Sequence, residues 1–184
     1  MNKSRSSKFI IMVGFAMAYL LSSAPGTAQL ADRALRASRG AITIFRPLSV
    51  AATANMSFGR LQPQGNAQPG TVVLTSMPPI QRIPNGISTL PGGAETPAVR
   101  TISGEPGKIY RIIVPASAVS SQGGHLVNAF TLWTENGGNI TTTRVGQLNA
   151  SGTDVLRIGA TINLPKGTKQ ETYTVNVPIS ILYE

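Results

Sequence analysis

His125 is the single histidine of this 184-residue chain, so any relay of serine, histidine and aspartate would have to run through it. It follows directly on Gly123 and Gly124, where an exposed turn residue is the ordinary reading, and no Gly-x-Ser-x-Gly elbow offers a nucleophile. Two carboxylates facing each other could support glycoside hydrolysis. The acids Asp32, Glu95, Glu105, Glu135, Asp154, Glu171 and Glu184 instead stand singly, in turns and at segment ends. With one histidine and no cysteine, these dispersed acids match neither a zinc nor a calcium pattern. The glycines of Gly-Glu-Pro-Gly at 104–107 read as turn formers, not as a phosphate cradle. Trp133 reads as a core or half-buried sheet residue, with a carbohydrate platform as the alternative. The expectation is a protein that is not an enzyme and has no cofactor and no metal.

The chain opens with Lys3, Arg5 and Lys8 ahead of the apolar run from Phe9 to Leu21, followed by small residues, which is the layout of an export signal. Cleavage is expected after Ala28. The run has thirteen residues, short of the roughly 20 that a bilayer span needs, so no membrane span is expected after signal removal. The predicted location is outside the cytoplasm, in the periplasm, at the cell surface or in the medium. Without cysteines, burial rather than disulfide bonding must stabilise the fold. Three of the sixteen basic residues and none of the seven acids lie in residues 1–28, which leaves a net charge of +6 on the remainder. No arginine-rich helix or aromatic stacking motif accompanies that charge, so nucleic acid is not an expected partner.

Residues 29–40 hold helix formers without an apolar stripe and read as a flexible leader. From residue 41 the texture is that of strands separated by glycine and proline. Thr71 to Thr75, Ala98 to Ile102, Lys108 to Val114 and Leu126 to Glu135 are candidate strands, and residues 78–93, with four prolines, are left open. Between Asp154 and Leu164, Leu156, Ile158, Ala160, Ile162 and Leu164 share one face. Seven to nine strands with no mature helix predict one all-β domain over residues 41–184, a two-layer β-sandwich rather than a closed barrel.

Two segments look built for pairing. From Thr172 to Tyr183 the alternation places Tyr173, Val175, Val177, Ile179, Ile181 and Tyr183 on one face, and Leu182 alone breaks the polar set. Pro178 inside the run predicts an edge position, because proline cannot donate to a ladder. Near the start of the domain Ile42, Ile44, Leu48 and Val50 share a face, with Pro47 marking another edge. Long apolar edges pair with further strands, so the expected partners are other copies of this chain or related subunits.

The Met-Ser-Phe-Gly at 56–59, Lys-Ile-Tyr-Arg-Ile-Ile-Val-Pro at 108–115, the Gly123-Gly124 pair, residues 148–165 and the terminal run from Tyr173 to Tyr183 occur in one order. In that order the chain resembles an exported bacterial family catalogued as domain of unknown function 4402, which is fimbrial-subunit-like and spore-coat-like in style. The resemblance implies an immunoglobulin-like, pilin-like sandwich, a structural role at the cell surface and a possible periplasmic chaperone. Chaperone-assembled pilins commonly carry a tyrosine next to last and a glycine about a dozen residues earlier. Tyr183 fits the first, whereas Glu171 stands in place of the glycine. The alternative expectation is a monomeric exported module that binds glycan or an envelope surface.

Overall fold

The computed structural model describes residues 44–63 and 68–184. The signal segment 1–28, the leader 29–40 and Ile42 lie outside the described residues. In chain order the strands are β1 (Ser49–Ala54), β2 (Met56–Pro63), β3 (Gly70–Leu74), β4 (Arg82–Asn85), β5 (Ile87–Thr89), β6 (Ala98–Ser103) and β7 (Ile109–Ile113). They continue as β8 (Ser117–Val119), β9 (Leu126–Thr134), β10 (Gly138–Asn139), β11 (Val145–Gln147), β12 (Thr153–Leu164), β13 (Glu171–Val175) and β14 (Ser180–Tyr183). Eight of the fourteen have five residues or more, in line with the seven to nine expected; the other six are short pieces at rims and corners.

β12 organises the larger layer. Its alternation of aliphatic and polar residues buries Leu156, Ile158, Ala160, Ile162 and Leu164 and leaves the intervening residues, Gly159 excepted, half-exposed, as period-2 patterning requires. One edge of β12 pairs with β9, while the other is shared by β6 along its first half and β3 along its second. β1 extends the sheet beyond β6, β4 extends it beyond β3, and β8 and β10 flank β9. The second layer consists of two three-stranded sheets, ordered β13-β2-β5 and β11-β7-β14. Every pairing is antiparallel. Inward residues of all three sheets, among them Phe58, Leu61, Tyr110, Ile112, Leu132 and Tyr173, meet in one apolar core, so the fold is a β-sandwich.

Two bulges shape the layers. In β9 the partners of β12 jump from Asn128 to Thr131 while β12 advances only from Thr161 to Gly159, which puts two residues, Ala129 and Phe130, opposite one. Ala129 takes a φ of 50° there, and the inward face shifts from Val127 to Leu132 and Thr134. Reading β9 by strict alternation groups Leu126 with Leu132; the extra residue separates them, so Leu126 is exposed and Leu132 buried. In β2, Ser57 and Gly59 face consecutive residues of β13, so Phe58 is the extra residue and Gly59 adopts a φ of 69°. That shift keeps Met56, Phe58 and Leu61 all buried.

Candidate pairing site at the carboxyl-terminal strands

The run from Thr172 to Tyr183 is not one strand. β13 pairs with β2, the chain breaks at residues 176–179 around Pro178, and β14 pairs with β7 in the other small sheet. Proline removes one ladder donor and fixes φ, which suits a crossing between sheets. Arg100 holds the crossing. Its buried guanidinium donates to Val177 O (3.4 Å), and to Ala54 O (2.6 Å) and Val99 O (3.0 Å), tying the end of β1 and the break to β6. Burial lowers the Arg100 pKa from its ordinary value.

The alternating face divides with the strand. Tyr173, Val175 and Val177 are fully buried in the core, whereas Ile179, Ile181 and Tyr183 are half-buried against it along the rim. Both strands lie at sheet margins, as expected of an edge. The margin of β13 is capped: Ser121 N donates to Thr174 O (2.9 Å) and Thr174 N donates to Gln122 Oε1 (2.9 Å). Beyond β14, among the described residues, lies no further strand.

The amino-terminal segment meets this rim. Leu48 is half-buried against the core, Val50 lies in β1 at 37% exposure, and Ile44 is 89% exposed. Tyr183 fastens the segment: its hydroxyl donates to Arg46 O (2.7 Å) and accepts from Glu105 N (2.7 Å). The Phe45 and Tyr183 rings lie 6.3 Å apart, and the Lys108 ammonium sits 4.4 Å from the centre of the Phe45 ring. Gly104 makes room for this convergence, since a Cβ there would collide with the Tyr183 hydroxyl, Leu48 and Leu148. β1 itself contributes little burial, with five of its six residues exposed and pairing to β6 alone.

His125 is bound through its backbone to Ser120, and its ring lies 5.5 Å from that of Tyr173. It lines an open cleft of about 680 Å³ together with Thr71, Asn85 and Asn163, and among the described residues no acid lines that cleft. Among the described residues, no group of three histidine, cysteine or acidic side chains converges. Trp133 is half-buried beneath the Arg157 guanidinium, 5.4 Å from the ring centre, away from the cleft. Arg157 in turn pairs with Glu135 at 2.9 Å.

One buried polar pair escapes a reading by composition. The Tyr110 hydroxyl donates to Asp154 Oδ2 (2.7 Å), while Asp154 Oδ1 accepts from Val155 N (2.8 Å) and Asn136 N (3.2 Å). Burial outweighs these bonds and holds the Asp154 carboxyl above its ordinary range. Burial and the bond to Asp154 likewise raise Tyr110. The pair bolts β7 of one layer to β12 of the other. Asp154 shares the parity of Leu156 and Ile158, and that shared parity is the signal in the sequence that it points inward.

The architecture is that of an antiparallel β-sandwich with open margins. A family model described as "Domain of unknown function (DUF4402)" matches residues 48–183, and the chain belongs to that family. No curated protein and no solved structure matches the chain. The described residues include no helix long and apolar enough to cross a membrane.

Proposed function

We propose that this protein is an exported structural subunit of the bacterial cell surface, fimbrial- or coat-like, that assembles by exchanging its amino-terminal strand between copies. The observation that carries the reading is β1. It is a marginal strand held by one neighbour, with almost all of its side chains exposed. Ladder bonds contribute roughly 1 kcal/mol net each, so a strand held mainly by them opens far more readily than one anchored in a core. A second copy's β1 would find the same ladder on β6, the same Arg100 donor and the same Tyr183 fastening, which is the low-cost route of strand swapping. The reading assigns no catalytic step, cofactor or metal to the chain. Other copies or related subunits are its partners, with a periplasmic chaperone to hold the strand until assembly.

A cysteine pair tests it in a chain that has none of its own. Ala51 and Thr101 face each other across the β1–β6 ladder, a spacing that a disulfide can bridge. Oxidised Ala51→Cys/Thr101→Cys protein is expected to give no ladders or filaments at concentrations where the reduced protein gives them. Equal polymer from both forms rejects strand exchange. The monomeric binding module is favoured by one feature, the open cleft lined by the polar residues Thr71, Asn85, His125 and Asn163. It predicts glycan or envelope binding by a chain that stays monomeric, and binding lost on Asn85→Ala and Asn163→Ala together.

A further inference from the structure

We propose that β14 is a second, separate docking edge, and that its occupant is β14 of another copy, joined antiparallel about a two-fold axis at Leu182. The inference goes beyond strand exchange at β1 and stands whether or not that exchange occurs. Glu184 N donates to Ile109 O, which fixes the phase of the β14–β7 ladder. With the register of Leu182 opposite Arg111 and Ser180 opposite Ile113, those residues turn their backbone groups toward β7. The N–H and C=O groups of Ile181 and Tyr183 therefore point away from the sheet. These residues are two apart, so in a symmetric pair Ile181 of one copy exchanges both ladder bonds with Tyr183 of the other, and the reverse holds. Leu182 then faces its own counterpart.

Three features favour this occupant. Two other margins of the second layer are blunted: Thr174 of β13 is bonded on its outer side to Ser121 and Gln122, and Gln147 O of β11 accepts from Asn136 Nδ2 (3.0 Å). In the larger sheet, β4 carries Pro84. Among the described residues nothing caps β14, it holds no proline, and residues 180–183 carry no charge, where solvent-exposed edges usually place one. In the symmetric register Glu184 faces Ser180, so no like charges meet. The outer face beside the edge also exposes Ile109, Ile113 and Leu182, each 44–49%, around an Arg111–Glu184 ion pair that is satisfied within the copy. The pair would continue that face across both molecules as one six-stranded sheet.

Leu182 faces solvent in the monomer and itself in the dimer, so its charge variants separate the two states. Sedimentation of the purified protein is expected to show a monomer–dimer equilibrium. In Leu182→Lys and in Leu182→Glu alone, like charges meet at the axis and association falls by about tenfold or more. An equimolar mixture of the two is expected to restore the dimer as a mixed species. In the Ala51→Cys/Thr101→Cys background, oxidation is expected to leave this dimer intact while removing larger species, which keeps the two junctions apart. Unchanged association in both single variants, or no mixed dimer on combining them, overturns the proposal; so does a wild-type protein that stays monomeric at millimolar concentration.

Discussion

At the scale of single residues, the buried groups set how the sandwich responds to pH. Asp154 is buried with its carboxyl raised above the ordinary value, so the folded state binds its proton more tightly than the unfolded chain does. The stabilisation from that proton is complete below the unfolded carboxylate value and is lost as pH rises through the raised folded one. Relative to Asp154→Asn, the wild type is therefore expected to gain stability on acidification through that window, read from urea midpoints across a pH series; parallel curves would contradict it. Tyr110→Phe takes away the donor and leaves Oδ2 buried without it, with an expected loss of about 1–3 kcal/mol at unchanged urea slope. The identity of this pair was half-legible. Alternation along β12 points Asp154 inward, but nothing in the sequence says that Tyr110, on a different sheet and 44 positions away, waits there.

Among the elements, regular alternation was legible and its interruptions were not. β12 follows its pattern from end to end because it lies centrally and both edges are paired. β9 departs from its pattern because Ala129 and Phe130 share one partner, and a bulge leaves no mark on hydrophobic spacing when alanine fills it. β2 carries a clearer sign, since Gly59 stands where the left-handed backbone is needed. The contrast yields a test. An L-residue at φ 50° carries about 1–2 kcal/mol of steric cost that glycine lacks, partly offset by the larger entropy glycine loses on folding. Ala129→Gly is accordingly expected to raise stability by up to ~1 kcal/mol in chemical denaturation, whereas a loss of that size would mean that the Ala129 methyl matters more than its backbone. The terminal run shows the same limit at larger reach. Its alternation holds through Pro178, yet the chain uses the proline to leave one sheet and join the other, so one apparent strand supplies two margins.

For the molecule as a whole, Tyr183 links the two proposed junctions, because it belongs to β14 and fastens the segment that leads into β1. Its hydroxyl makes two backbone bonds, donating to Arg46 O of the amino-terminal segment and accepting from Glu105 N of the turn after β6. Tyr183→Phe removes both while keeping the ring against Phe45, so the monomer is expected to lose about 1–2 kcal/mol. If β1 exchanges between copies, the closed and exchanged states lose the same bonds, and what the variant eases is the opening of β1 that precedes exchange. The variant should then form ladders faster than wild type at equal concentration, and amides of residues 49–54 should exchange faster while those of β12 keep their protection. A purely structural tyrosine would weaken β12 and β1 together and leave assembly no faster. The outcome for β1 relative to β12, followed in one hydrogen-exchange series, therefore decides whether this fastening is a release point for assembly or one more bolt in a closed sandwich.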